Sequence, residues 1–119
     1  MYRIMVVDDE YYIRDGLCNV VDWASIGAQV VGEAASGVEA LAKVPLVQPD
    51  VVITDIRMED MDGLEFAEAV RDAYPDTRII FLSGYDNSAY AQKAVELKAY
   101  GYILKPGDPE KVLSIVRDA

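Results

Sequence analysis

Histidine is absent from the 119 residues. That excludes imidazole metal ligands, His–Cys dyads and a phosphohistidine within the chain. The single cysteine, Cys18, leaves no internal disulfide and fits a reducing compartment. It falls in a predicted helix, where a buried structural thiol is the plainer reading. No apolar run is long enough to span a bilayer. The opening "MYRIMVVDDE" turns acidic too early for a secretory leader, so a cytoplasmic location with no membrane contact is expected. Basic residues are also scarce: 11 Lys and Arg stand against 21 Asp and Glu, a net charge of −10. Such a surface does not by itself grip nucleic acid or an anionic membrane. Repeats, low-complexity tracts and linkers are missing too. What remains is 52% hydrophobic and 27% charged, a composition that suits one globular domain over residues 1–119 with one real core.

Alternation organises the chain. "RIMVV" (3–7) is a short apolar run of strand formers. "EYYIRDGLCNVVDW" (10–23) carries Tyr12, Ile13, Leu17, Val20 and Val21 at helical spacing. Trp23 at its end reads as core packing. "AQVVGEA" (28–34) predicts a second strand, and "SGVEALAKV" (36–44) a short helix with Ser36 as N-cap. "DVVIT" (50–54) predicts a buried strand, "LEFAEAVRDAY" (64–74) an amphipathic helix stopped by Pro75, and "TRIIFLS" (77–83) a strand. A helix over 88–99, a strand over 100–105 and a helix over 108–118, capped by Asp108 with Pro109 at its first position, complete five β-then-α units. Strands without polar alternation are buried on both faces, as in a parallel sheet between helices. With right-handed crossovers the expected fold is α/β, a flavodoxin-like doubly wound (βα)5 sandwich whose five parallel strands run in the order 2-1-3-4-5.

In such a sheet every strand C-terminus lies on one edge, where ligands bind. The residues at those ends are Asp8 and Asp9 with Glu10 behind them, then Asp55, Ser83 and Lys105. Taken singly, each has an ordinary role as a helix cap, a turn residue or a solvated lysine. Together Asp8, Asp9, Asp55, Ser83 and Lys105 place three carboxylates, a hydroxyl and an ammonium on neighbouring strands, roughly 4.8 Å apart per step. Clustered carboxylates repel unless a cation or proton intervenes. All-oxygen donors select a hard cation, Mg2+ or Mn2+. Lysine and hydroxyl opposite that cation suit a phosphoryl group under attack by a carboxylate. Asp55, on the central strand, is the best-surrounded candidate for that nucleophile.

With "VVDDE", "PDVVITDIRMEDMDG", "IIFLSGYD" and "YILKP" in order across nearly the whole length, the chain resembles the receiver domains of two-component response regulators. The resemblance implies a phosphoacceptor signalling domain, not an enzyme with its own substrate turnover. Asp55 would take a phosphoryl group from the phosphohistidine of a sensor histidine kinase. Asp9, Asp55 and the backbone carbonyl of Arg57 would ligate Mg2+, with Asp8 acting largely through water. Ser83 and Lys105 would contact phosphoryl oxygens, and Ser83 with Tyr102 would form the conformational switch. Arg57 and Tyr85 would tune access of the hydrolytic water. "VVDWASIGAQVVGEA" and "LSGYDNSAYAQKAVELKAYGYILKP" are similar to receivers at the N-terminus of AraC-type transcription regulators. That similarity implies an excised N-terminal domain whose DNA contacts come only through a C-terminal domain absent from this chain. It also allows a phosphorylation-dependent homodimer. The alternative is a stand-alone single-domain regulator acting by protein–protein contact.

Three positions depart from the family pattern. Glu59 stands where proline is usual, adding an acid near the cleft. Lys98 stands where glycine is common. Pro45 is expected to stop or kink the second helix near Val44. Rival chemistries fit less well. An aspartyl phosphatase of the haloacid dehalogenase type needs a second aspartate two residues after the nucleophile, where this chain has Arg57. A flavodoxin needs a Ser/Thr/Gly-rich phosphate loop, where this chain has "DDEYY".

Overall fold

The computed structural model describes residues 2–56, 58, 61–83, 101–104 and 109–118. Strand β1 (Tyr2–Val7) leads into helix α1 (Tyr11–Asp15), a π-helical turn (Gly16–Val20) and a 3-10 turn (Trp23–Ile26). Then follow β2 (Ala28–Ala34), α2 (Gly37–Val47), β3 (Val51–Asp55), α3 (Gly63–Ala73), β4 (Arg78–Ser83), β5 (Gly101–Leu104) and α4 (Pro109–Asp118). All five strands pair in parallel, in the order β2-β1-β3-β4-β5. This is the topology expected of the strand pattern. The expected helix over 88–99 and the Asp108 cap lie outside the described residues. Among the described residues no helix is long and apolar enough to cross a membrane.

The two-residue period of the strands divides the core into two layers. Met5, Val7, Val52, Ile79 and Phe81 pack on one face of the sheet with Ala40 and Val44 of α2 and Phe66, Ala67 and Val70 of α3. Ile4, Val6, Ile53, Ile80, Leu82 and Ile103 pack on the other with Leu17, Val21, Trp23, Val112 and Val116. The inner strands β1, β3 and β4 therefore present apolar side chains both ways, which explains why those segments read as continuous apolar runs. Each fully buried Ile, Val or Phe contributes roughly 1.5–3 kcal/mol relative to exposure.

Two local expectations fail. The segment 10–23 is not one α-helix, because the chain passes into a π turn at Gly16. Leu17 and Val21 are buried, while Tyr12 and Val20 are 86% and 67% exposed. Pro45 does not stop α2, which runs on to Val47. The end of the helix beyond it is held by a tertiary contact. The Arg3 guanidinium, from β1, donates to the Val47 carbonyl at 2.6 and 3.0 Å and to the Gln48 carbonyl at 3.3 Å. A fixed cation thus satisfies the carbonyl end of the helix, and Val47 packs against the core.

The other end of α2 is capped as expected. Ser36 Oγ accepts the Glu39 N–H at 3.1 Å, and Glu39 Oε2 accepts the Ala35 N–H at 2.6 Å. That second bond holds the Glu39 carboxyl below its usual range. At the C-terminal end, Gln48 sits in the left-handed region with φ 48°. Gln48→Gly relieves that backbone strain without touching the Gln48 carbonyl. It is expected to stabilise the fold by about 0.5–1 kcal/mol, read as a higher urea midpoint at unchanged slope.

Candidate functional site

Residues at the ends of β1 and β3 form the centre of the site. Val7 lies in register with Thr54, so the following residues, Asp8 and Asp55, leave the sheet side by side. Both are buried, at 1% and 5% exposure, unusual for carboxylates and costly unless charge is compensated. Asp8 is fixed by its own backbone: its N–H donates to the Ala34 carbonyl at 3.1 Å. Its Oδ1 accepts the Glu10 N–H at 2.9 Å. Asp55 Oδ1 accepts the Ile56 N–H at 2.8 Å, and the Thr54 hydroxyl donates to the Asp55 carbonyl at 3.0 Å.

Asp9 and Glu10 are exposed at the same edge. Ligand oxygens of Asp8, Asp9 and Glu10 lie within 4.8 Å of one another, so the three could hold a metal ion. An all-carboxylate donor set fits a hard divalent cation and no soft one. Glu10 was visible behind the acid pair in the sequence, but the spacing alone gave it no role.

Met58 and Met61, between β3 and α3, pack against the core cluster on the α2–α3 side. Asp62 is the N-cap of α3, with Oδ1 accepting the Glu65 N–H at 2.8 Å. The N–H of Gly63 donates to the Ile56 carbonyl at 2.7 Å. The methionine contacts and the close approach of Gly63 were missed at the sequence level; the "DG" pair was the one available signal.

Ser83 ends β4 beside Leu104 of β5, and Tyr102 is paired with Phe81 in the ladder. The backbone therefore brings positions 83 and 102 to the neighbouring strands expected of them. Arg57, Glu59, Tyr85, Lys98 and Lys105 lie outside the described residues. Cys18 is half-buried, and its thiol is pushed up to about 12 by burial and by the Glu33 carboxylate, whose Oε2 accepts its S–H at 3.5 Å. It is a thiol at neutral pH, in keeping with a structural role.

Residues 4–117 match the response regulator receiver domain family. The chain is 38% identical over 118 residues to the uncharacterized transcriptional regulatory protein YesN of Bacillus subtilis, covering 99% of this chain and 32% of that protein. It is 35% identical over 108 residues to the transcriptional regulatory protein HptR of Staphylococcus aureus, covering 91% of this chain and 42% of that protein. Among solved structures, the REC domain of AraT, a response regulator from Geobacillus stearothermophilus, superposes with a TM-score of 0.90 at 36% identity, over 98% of this chain and 93% of that one. The acids at the sheet edge thus belong to a signalling module. The chain belongs to the response regulator receiver domain family and spans about a third to two fifths of the length of these curated relatives.

Proposed function

We propose that Asp55 is the phosphoacceptor of this receiver domain. The observation that carries the reading is the side-by-side burial of Asp8 and Asp55 at adjacent strand ends, with Asp9 and Glu10 at the rim. An Asp55 carboxylate oxygen attacks phosphorus, the P–N bond to a sensor kinase's phosphohistidine breaks, and the leaving imidazole nitrogen takes up a proton. Asp8, Asp9, Asp55 and the Arg57 carbonyl would hold Mg2+, which when bound offsets phosphoryl and carboxylate charge. Lys105 and Ser83 bind phosphoryl oxygens, and Ser83 with Tyr102 passes the change on to the output face as a population shift. Arg57 and Tyr85 set the lifetime of the acyl phosphate by limiting water access.

The reading extends to the whole protein. Residues 1–119 are the receiver of a longer, cytoplasmic transcription regulator. Its DNA contacts lie in another domain, and phosphorylation favours a homodimer. The relatives named as transcriptional regulatory proteins support this, since each is much longer than the chain.

Incubation with Mg2+ and acetyl phosphate, followed by mass spectrometry, tests the phosphoacceptor. One added phosphoryl group is expected in the wild type and none in Asp55→Asn, with both folded by circular dichroism. An adduct of equal yield in Asp55→Asn, or none in the wild type with any donor, overturns the assignment.

A further inference from the structure

Arg14 stands close to the acid cluster and is held by several contacts. It lies one turn into α1, its own N–H donating to the Glu10 carbonyl at 3.1 Å. Its side chain is only 16% exposed, low for a cation on a short surface helix. Nη1 donates to the carbonyl oxygen of Asp8 at 2.7 Å, and Nε lies 3.3 Å from Glu33 Oε1. The guanidinium carbon is 5.8 Å from the centroid of the Tyr11 ring. Glu33 is itself fixed: its Oε2 accepts from Cys18 and its carbonyl accepts Lys43 Nζ at 2.8 Å. A frame therefore runs from β2 through Glu33 and Arg14 to the backbone of Asp8.

From this geometry we infer that Arg14 is a positioning residue for the cation site, acting through the Asp8–Asp9 peptide. The Asp8 carbonyl and the Asp9 N–H share one planar unit, so fixing the carbonyl fixes the direction in which Asp9 leaves the strand. Asp8 is gripped on both sides of its Cα, by Ala34 through its N–H and by Arg14 through its carbonyl. A planar guanidinium can hold the carbonyl and a carboxylate at once; an ammonium is a single centre and cannot match that fork. The inference rests on the divalent-cation reading given above.

Charge and positioning predict opposite signs, which makes the role testable. Arg14 is a cation beside a cation site. On charge alone its removal strengthens Mg2+ binding. Loss of a positioning contact weakens it, as loss of outer partners of metal ligands does by about tenfold or more. Mg2+ alone is titrated calorimetrically into the wild type, Arg14→Met and Arg14→Lys, with thermal unfolding in the absence of Mg2+ as the check on folding.

The expected result is about tenfold weaker binding in Arg14→Met, with an intermediate loss in Arg14→Lys. Arg14→Met binding as tightly as the wild type, or tighter, overturns the positioning role while leaving the cation site intact. If Arg14→Met does not fold, Arg14→Lys decides, because it keeps the charge: unchanged affinity overturns the inference and weakened affinity supports it. A wild type that takes no Mg2+ overturns the cation site itself, and the inference with it.

Discussion

Gly63→Ala is expected to destabilise the domain by about 3 kcal/mol or more and to abolish phosphoryl uptake in the fraction that stays folded. A Cβ at position 63 would overlap the Asp55 carbonyl oxygen and stand 2.9 Å from both the Asp55 carbonyl carbon and the Ile56 Cα. These are backbone atoms of the strand end that carries the proposed nucleophile, so no side-chain rotation relieves the clash. Either α3 moves off the sheet or the end of β3 shifts. The first opens the core around Phe66 and Val70, both fully buried. The second displaces Asp55 from Asp8. Urea unfolding measures the stability loss, and acetyl phosphate labelling measures the site. Gly16→Ala is the control: nothing lies within 4 Å of a Cβ there, so its effect should stay within about 1 kcal/mol. Equal urea midpoints for the two variants would refute the close-packing account.

The same glycine shows where sequence reasoning reached and where it stopped. In the sequence Asp62 before Gly63 reads as a turn and helix-start pair, and Asp62 does cap α3. That Gly63 is needed because a helix end presses on a strand end is a fact of tertiary approach, with no local signature. The inner strands were legible because β1, β3 and β4 are buried on both faces and so carry continuous apolar runs. The acids were legible because parallel strands bring all their C-terminal residues to one edge, whatever the sequence distance between them. The end of α2 beyond Pro45 was not legible because what holds it is not local: Arg3 of β1, 44 positions before Val47, donates to the Val47 carbonyl. The π turn was invisible for a related reason. Ile13, Leu17 and Val21 keep a four-residue spacing that suits either kind of turn, and what selects the wider one is a bond from beyond the helix.

That bond is the indole of Trp23, and removing it gives the other large expected effect. Trp23 Nε1 donates to the Leu17 carbonyl at 2.6 Å in a buried setting, and the residue is only 5% exposed. The Val21 N–H reaches back to the Gly16 carbonyl at 3.3 Å, closing the π turn, while the neighbouring Leu17 carbonyl is served by the indole. Trp23 therefore does two things, filling the layer with Ile4, Leu17, Val21 and Ala28 and satisfying a backbone acceptor that a regular helix would satisfy by itself. The two contributions separate by substitution. Trp23→Ala removes both and should cost about 3–5 kcal/mol. Trp23→Phe keeps most of the apolar volume but no donor, and should cost about 1–3 kcal/mol, the desolvation cost of a stranded carbonyl. Urea unfolding followed by far-ultraviolet circular dichroism checks both, since the fluorescent residue is itself replaced. If Trp23→Phe fell within about 0.5 kcal/mol of the wild type, as an unremarkable surface substitution would, the π turn would owe nothing to the indole and Trp23 would be a packing residue alone.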